Sequence, residues 1–400
     1  MTQTHWNILK IITEDYGIDM SKNISQTVII PTRNEENYIE ACVNSLLDDW
    51  VISTTEFLIV DGRSTDKTRD IVKEKFSHLN LKILDNPNLY QSYAMNIGIE
   101  NSSSVDTHPD FNIEGDQPDD FGGIIIRADA HCIFPPNYIK NLRETIRDNV
   151  GIEGTGVLNV GSIQNAVGTN TFTKAVATVM NSKYAMGGVK YRQKQFEDSE
   201  LIKREDKLIE SDTAYLGGWM KGGFEAEIEL FINPDGEKLV YNEEFQINED
   251  YELNIRINKS YQPSHDPGVV VNTELVVDYF VRNSLFGLIK QFFRYGLWKT
   301  KTLSVHPDSL KKRQLAPVLF VLFLVSLGIG YSILPYHQVL NWITGIVGFL
   351  WLLLIISVWK DSPKIANFVL IPTIVLSMHI SWGLGFLFGL TRWIRGGWKS

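Results

Sequence analysis

Short apolar segments alternate with amphipathic segments over the first third of the chain. Apolar runs at residues 27–31, 56–61, 81–84 and 123–128 predict four strands, and most are rich in β-branched side chains. Between them, apolar residues recur every three or four positions, which predicts helices. Strands and helices that alternate at this spacing are typical of an α/β unit with a parallel sheet.

Polar residues follow three of the predicted strands where each strand ends. The first strand runs into Pro31-Thr-Arg-Asn-Glu35, the second ends in Asp61, and the fourth runs into Asp129-Ala-His131. Ligands of open α/β sheets bind beyond the carboxyl ends of the strands. We therefore expect these three segments to surround one ligand.

Asp129 and His131 are candidate metal ligands. A carboxylate and an imidazole one residue apart suit a divalent metal, and a metal at this position suits a phosphate-bearing substrate. The simpler interpretation is a polar loop with a hydrogen-bonded histidine, because Asp-x-His occurs often by chance.

Three later segments carry further candidate chemistry. A glycine-rich segment at 211–225 contains Trp219, which either stacks on an acceptor sugar or packs in the core. Asn248-Glu-Asp250 opens a predicted helix, so Asp250 is either a general base or a complement to the helix dipole. Gln291, Arg294 and Tyr295 share one face of an amphipathic helix.

The last 85 residues are strongly apolar. Segments 315–334, 339–359 and 366–390 carry no charged residue, and each is long enough to cross a bilayer. Lysines and an arginine at 311–313 predict a cytoplasmic start for the first span. The third segment contains Pro372 and three glycines, so it either spans or forms a kinked, re-entrant hairpin.

These patterns divide the chain into four parts. They are an N-terminal extension at 1–26, an α/β domain at 27–275, an amphipathic interface region at 276–314 and membrane helices at 315–392. No secretory signal precedes the α/β domain, so we expect that domain to face the cytoplasm.

Composition narrows the classes of function. The net charge of −9 argues against a nucleic-acid partner, which would require a basic face. The two cysteines, Cys42 and Cys132, are expected to be buried free thiols. The acidic segment 102–120 is expected to be a solvated loop rather than a calcium site.

Six motifs in order resemble those of inverting family 2 glycosyltransferases, and in particular bacterial succinoglycan-type glucosyltransferases that act on membrane-borne acceptors. They are Pro31-Thr-Arg-Asn-Glu-Glu36, Val60-Asp-Gly-Arg-Ser-Thr-Asp66, Ala94-x-Asn-x-Gly98, Asp129-Ala-His131, Asn248-Glu-Asp250 and Gln291-x-x-Arg-Tyr295. The resemblance spans residues 27–300 and extends to the apolar tail. It identifies the family and leaves the sugar open.

The resemblance implies a GT-A nucleotide-sugar fold and a role for each motif. The residues implied to bind the nucleotide sugar are Pro31, Thr32, Arg33, Glu35, Asp61, Asn96 and Asp129. Asp129 and His131 are implied to hold Mg²⁺ or Mn²⁺, Asp250 to act as the base, and Gln291, Arg294 and Tyr295 to contact the acceptor. His131 replaces an aspartate of the family motif and Tyr295 replaces a tryptophan, so the choice of metal and the processivity are open.

The function predicted from these patterns is a membrane-anchored inverting glycosyltransferase. It would move a sugar from a nucleotide sugar, with UDP favoured, to a hydroxyl of a lipid-linked or growing polysaccharide acceptor at the cytoplasmic membrane. Membrane lipids and proteins of polysaccharide assembly are the other candidate partners. A polyprenyl-phosphate sugar synthase and a non-catalytic nucleotide-binding scaffold are the alternatives.

Overall fold

The computed structural model describes most of the chain, with gaps at several loops and at both ends. The described residues are 24–104, 123–149, 157–192, 207–221, 228, 230–261, 267–334, 337–360 and 365–398. Most of the predicted N-terminal extension and of the acidic segment 102–120 lies outside them.

The strands of the described part form one large mixed sheet and a small hairpin. They are β1 (Gln26–Thr32), β2 (Thr55–Asp61), β3 (Leu81–Asp85), β4 (Ile124–Arg127), β5 (Cys132–Ile133), β6 (Asn159–Val167), β7 (Leu208–Glu210), β8 (Tyr215–Met220), β9 (Phe231–Ile232), β10 (Lys238–Leu239) and β11 (Val269–Phe280). The large sheet has the order β3-β2-β1-β4-β8-β6-β11-β5, with β7 also paired to β11.

The four predicted strands are confirmed, and the sheet around them is mixed rather than wholly parallel. Strands β1 to β4 pair in parallel, as their alternation with helices predicts. Strand β8 then pairs antiparallel to both β4 and β6. Strand β8 comes from the glycine-rich segment, whose irregular pattern gave no sign of this pairing.

The helices cover both faces of the sheet. They are α1 (Ile39–Ser45), α2 (Asp49–Thr54), α3 (Thr68–Lys75), α4 (Gln91–Glu100), α5 (Tyr138–Asn149), α6 (Thr171–Asn181), α7 (Lys183–Met186), α8 (Glu249–Tyr261), α9 (Leu285–Val305), α10 (Lys312–Ile333), α11 (Gln338–Lys360) and α12 (Ile365–Ile394). Alternate residues of the central strands enter two separate cores, with Ile30 in one and Ile29 in the other, both fully buried. The two cysteines are free and buried, as predicted.

Helices α10, α11 and α12 are long and apolar enough to cross a membrane. Helix α12 continues without a break through Pro372, so of the two alternatives left open for this segment the structure shows the continuous helix. A proline removes only one hydrogen bond from a helix, and the surrounding turns keep this one continuous. The predicted boundary between residues 275 and 276 falls inside β11, so the sheet extends to Phe280.

Helix α12 is seated against the α/β domain instead of standing apart from it. Ile371, Ile374 and Val375 are fully buried in the same core as Val176 and Val179 of α6. Further along, α12 crosses α9 so closely that a Cβ at Gly385 would overlap the carbonyl oxygen of Phe293. The first half of α12 is therefore fixed to α6 and the second half to α9.

Replacing Gly385 by leucine should separate α9 from α12. The added side chain has no space, and overpacking of this kind costs about 1–3 kcal/mol. We expect a lower thermal unfolding temperature in detergent and a loss of activity. Gly345→Leu on α11 is the matched control, because nothing lies within 4 Å of a Cβ built there. Equal unfolding temperatures for the two variants would contradict the close contact between α9 and α12.

Candidate active site

A cavity of about 930 Å³ lies beyond the carboxyl ends of β1 and β4 and extends to the apolar helices. Its wall contains residues from the ends of β1 and β4, from the start of α8 and from α9, which are Pro31, Thr32, Arg33, Glu35, Asp129, His131, Glu249, Asp250, Gln291, Arg294 and Tyr295. The wall continues to Pro317 of α10 and Trp382 of α12. Segments far apart in sequence thus meet around one space.

The loop after β1 is held in place by the loop after β2. Asn34 adopts a left-handed backbone (φ 58°), and its side-chain oxygen accepts a hydrogen bond from the amide of Thr65 at 2.8 Å. The amide of Glu35 donates to the Thr68 hydroxyl at 2.8 Å. These bonds fix the backbone from which Arg33 and Glu35 reach the cavity.

Asp61 belongs to the loop after β2 that holds the loop after β1, and it is not among the residues that line the cavity. Its carboxylate is fully buried, accepts hydrogen bonds from the amide and hydroxyl of Ser64, and pairs with Arg69 at 3.0 Å. The sequence places Asp61 at a strand end, but the local turn directs its side chain back into the protein. The contact of its side chain with the nucleotide sugar stays a prediction.

Asn96 also has a structural role. Its side-chain amide donates to the carbonyl of Tyr241 and accepts from the amide of the same residue, both at 2.9 Å. It is not among the residues that line the cavity, and its contact with the nucleotide sugar stays a prediction. Asn96 instead holds the segment that leads to α8.

A buried guanidinium joins two parts of the site. Arg127 ends β4, and its Nε lies 3.3 Å from Oδ1 of Asp129. Its Nη1 lies 3.2 Å from Oε1 of Glu249, and both side chains of this second pair are at most 7% exposed. Since unpaired buried charges are costly, this bridge fixes the position of Asp129 relative to the start of α8.

Asp129 keeps one oxygen available for a ligand. Both of its protein contacts, from Arg127 and from Nε2 of Gln91 at 2.9 Å, fall on Oδ1. Oδ2 has no hydrogen-bond partner among the described residues, and Asp129 lines the cavity. This is the arrangement expected of a carboxylate that receives a cation or a donor group from a substrate.

Glu249 and Asp250 form a carboxylate pair at the start of α8. Burial raises the pKa of Glu249 to about 7, although Arg127 opposes the shift. Burial also raises the pKa of Asp250, with Arg127 again opposing. Asn248 before them has a left-handed backbone (φ 64°), an uncommon conformation that turns the chain into the helix. Both residues line the cavity, but Glu249 is buried, whereas Asp250 is partly exposed.

His131 stands where the family motif has its second aspartate, and its imidazole faces the carboxylate of Glu35. Its Nδ1 lies 3.2 Å from Oε1 of Glu35, which leaves Nε2 as the nitrogen for a ligand. Among the described residues, no three His, Cys, Asp or Glu side chains are grouped to hold a metal ion. The donor set nevertheless fits Mg²⁺ or Mn²⁺ bound together with substrate phosphates, since Mg²⁺ sites commonly use one or two protein ligands.

The three predicted acceptor contacts on α9 share one polar network. Nε2 of Gln291 donates to the hydroxyls of Tyr279 at 3.2 Å and Tyr295 at 2.9 Å. Oε1 of Gln291 is buried and has no hydrogen-bond partner among the described residues, so it is available to accept from a hydroxyl. Arg294, one turn away, lines the same wall.

Trp219 is a core residue, so of the two roles left open for it the structure shows packing. It is fully buried, packs near Tyr241 and pairs across the sheet with Ile125. It shares a core cluster with Leu253 and Ile257 of α8 and is not among the residues that line the cavity.

Four contributors to the site were not predicted from the sequence. They are Arg127, Gln91, Tyr279 and Arg192. Arg127 carried a usable signal, since a charge at the end of an apolar strand requires a buried partner. The others lie in segments whose patterns are ordinary for helices and strands.

The sequence of the chain is similar to one family model and to two relatives of nearly the same length. Residues 27–168 match the family model described as Glycosyl transferase family 2. The chain is 27% identical to the succinoglycan biosynthesis protein ExoA of Rhizobium meliloti, over 92% of this chain and 96% of the relative. It is 26% identical to dolichyl N-acetyl-alpha-D-glucosaminyl phosphate 3-beta-D-2,3-diacetamido-2,3-dideoxy-beta-D-glucuronosyltransferase of Methanococcus voltae, over 92% of this chain and 97% of the relative.

A solved structure shows the same fold. The mannosyltransferase PcManGT from Pyrobaculum calidifontis, in complex with GDP-Man and Mn²⁺, superposes with a TM-score of 0.53 at 13% identity, covering 91% of this chain and 86% of that chain. The α/β domain has the GT-A fold, as predicted. The chain carries a family 2 glycosyltransferase domain, and the protein is a glycosyltransferase.

Replacing Arg127 by methionine should destabilise the protein, because two buried carboxylates lose their shared partner. Removing one member of a buried ion pair costs about 3–5 kcal/mol. The loss should be larger at pH 8 than at pH 5, since protonation of Glu249 at low pH relieves the uncompensated charge. The measurement is the thermal unfolding temperature in detergent at both pH values.

The matched control is Arg147→Met. The side chain of Arg147 is 41% exposed and pairs with Asp148. That change should alter the unfolding temperature little, because exposed ion pairs contribute about 0–1 kcal/mol. If Arg127→Met were as stable as Arg147→Met at both pH values, the bridge would not hold the site together.

Proposed function

We propose that this protein is an inverting glycosyltransferase that moves a sugar from a nucleotide sugar to a hydroxyl of a lipid-linked or growing polysaccharide acceptor. One observation carries the proposal. Asp129 at the end of β4 and Asp250 at the start of α8 line one cavity, and Arg127 bridges the first to the residue beside the second. A diphosphate site and a base therefore face each other across one space.

Asp250 is the proposed general base. Glycosyl transfer requires a group that takes the proton of the attacking hydroxyl, and such a base contributes about 10²–10⁴-fold. Asp250 is the accessible member of its pair, and burial raises its pKa, which makes it a better proton acceptor than an ordinary aspartate. With no protein nucleophile needed, the hydroxyl displaces the leaving diphosphate in one step, and the configuration of the sugar inverts.

The nucleotide sugar is placed at the β1 and β4 end of the cavity. Pro31, Thr32, Arg33 and Glu35 form the wall there, and Oδ2 of Asp129 with Nε2 of His131 would hold Mg²⁺ or Mn²⁺. Such an ion supplies positive charge where the leaving diphosphate becomes more negative. A UDP-sugar is the first donor to test. The GDP-Man bound by the mannosyltransferase of the same fold makes a GDP-sugar the second.

The membrane is proposed to deliver the acceptor. The outer faces of α10, α11 and α12 are covered with exposed large apolar side chains, as lipid contact requires. The cavity wall extends to Pro317 and Trp382 of these helices. The names of the two relatives, one of succinoglycan biosynthesis and one of a dolichyl-phosphate-linked sugar, agree with a saccharide acceptor carried by lipid. We place the anchor in the cytoplasmic membrane, with the α/β domain on the cytoplasmic side.

Asp250→Asn should lower sugar transfer by about 10²–10⁴-fold while nucleotide binding persists, because only the proton acceptor is lost. Glu249→Gln is the matched control at the neighbouring carboxylate and should keep much more activity. The measurement is transfer from a radiolabelled UDP-sugar to lipid extract, with nucleotide binding measured alongside. Near-normal transfer by Asp250→Asn would contradict a hydroxyl acceptor and favour an acceptor that is already ionised, such as a lipid phosphate.

The pH profile gives an independent check on the same pair. A base acts only when it is deprotonated, so kcat/KM should fall as the pH falls through the raised pKa values of Glu249 and Asp250. Glu249→Gln removes a neighbouring negative charge, which lowers the pKa of Asp250 and should move the acid limb to lower pH. An acid limb that does not move in Glu249→Gln would show that the two carboxylates do not titrate together.

A further inference from the structure

Several cations line the cavity without an ion pair to a described residue. Three of the eight lysines and arginines in the lining are held by carboxylates or by a backbone carbonyl. Arg127 bridges two carboxylates, Arg313 pairs with Asp212 at 3.0 Å, and Lys299 donates to the carbonyl of Ser309 at 2.9 Å. The cations with no ion pair to any described residue are Arg33, Arg192, Arg282, Lys290 and Arg294.

Arg192 is the most informative of these cations. Its Nε and Nη1 are buried and have no hydrogen-bond partner within the described part of the chain. A guanidinium is always charged, and burying its donors without acceptors is costly. Its side chain stands over the ring of Tyr191, 5.6 Å from the centroid, and this aromatic contact holds it while Nε and Nη1 stay without acceptors in the described part of the chain. Two buried, unsatisfied guanidinium nitrogens in a cavity wall indicate an anionic ligand.

The surroundings of Arg192 indicate what kind of anion fits. Lys290, at an exposed position of α9, is a further cation in the lining of the same cavity. The lining also has an apolar part made by Ala316 and Pro317 of α10 and by Met378 and Trp382 of α12. A ligand that fits both the cations and the apolar residues carries a phosphate group with a hydrocarbon chain attached to it.

We propose that Arg192 and Lys290 form a phosphoryl-binding subsite for the acceptor, which holds the phosphate groups of an isoprenoid-phosphate-linked saccharide. The inference rests on the proposed function and adds to it the anionic part of the acceptor. The isoprenoid chain runs along α10 and α12, and the saccharide points toward Asp250. Arg192 forms bidentate hydrogen bonds to phosphate oxygens, which a guanidinium does well, and Lys290 contributes charge at the rim.

The test uses direct binding of four probes to the full-length protein in detergent. The probes are farnesyl diphosphate, farnesol, inorganic pyrophosphate, and UDP with Mn²⁺. The wild type should bind farnesyl diphosphate at least about tenfold more tightly than farnesol or pyrophosphate, because the subsite and the apolar wall both contribute.

Arg192→Met should weaken farnesyl diphosphate binding by about tenfold or more, since hydrogen bonds to charged groups are worth about 1.5–3 kcal/mol and 1.4 kcal/mol is tenfold. Binding of UDP with Mn²⁺ should stay within about twofold. Arg192→Lys should recover part of the loss, and Arg147→Met, which removes a surface arginine far from the cavity, should change nothing. Lys290→Met is a second test at an exposed site, so the subsite is tested even if the variants at Arg192 do not fold.

Each remaining outcome is decisive. If Arg192→Met and Lys290→Met bind farnesyl diphosphate like the wild type, the subsite does not exist. If both variants weaken UDP binding as much as farnesyl diphosphate binding, the cations serve the diphosphate of the donor, and the assignment to the acceptor is wrong. If the wild type binds no nucleotide diphosphate in the presence of metal, the proposed function fails. If the wild type binds nucleotide diphosphate but not farnesyl diphosphate, only the acceptor subsite is wrong.

Discussion

The buried guanidinium of Arg127 is the interaction on which the site depends. It ends the central strand β4 and lies 3.3 Å from Asp129 and 3.2 Å from Glu249. Without it, two carboxylates from segments 120 residues apart along the chain would repel each other in a buried space. With it, the end of the sheet and the start of α8 become one rigid unit. The diphosphate end of the cavity and the proposed base are therefore positioned by a single side chain.

A second constraint is the contact between the α/β domain and the apolar helices. Helix α12 packs on α6 along its first half and crosses α9 at Gly385. Helix α9 in turn carries Gln291, Arg294 and Tyr295 into the cavity wall. The proposed acceptor side of the site is thus built on a helix that the apolar segment holds in place. In this arrangement, the apolar helices support the geometry of the site in addition to the anchoring proposed for them.

Much of the fold and part of the site could be predicted from the sequence. Apolar runs located the central strands, and strand ends located Asp129 and His131, because parallel strands bring their carboxyl ends to one edge. Asp250 and Gln291 were found through motif resemblance together with helix patterns. The order of strands beyond β4 could not be predicted, since the irregular glycine-rich segment gives no sign that β8 inserts antiparallel beside it.

The sequence pattern does not contain the direction of a side chain. Trp219 and Asp61 lie in the segments expected, and the structure shows Trp219 packed in the core and Asp61 paired with Arg69. Arg192 was missed for a related reason, because only the folded chain shows that its Nε and Nη1 are buried without a partner among the described residues. Such facts depend on neighbours that are distant in sequence, and a pattern along one strand or helix does not contain them.

The central claim is that a metal-dependent nucleotide site lies at the end of β4. The most direct measurement is the binding of UDP and GDP, each with and without Mn²⁺, to the wild type and to Asp129→Ala. Asp85→Ala is the matched control, because Asp85 is a carboxylate at the end of β3, which β2 and β1 separate from β4 in the same sheet, and is 81% exposed. We predict that one nucleotide binds only with the metal, that Asp129→Ala loses this binding, and that Asp85→Ala keeps it. Metal-independent binding, or equal binding by the two variants, would contradict the account.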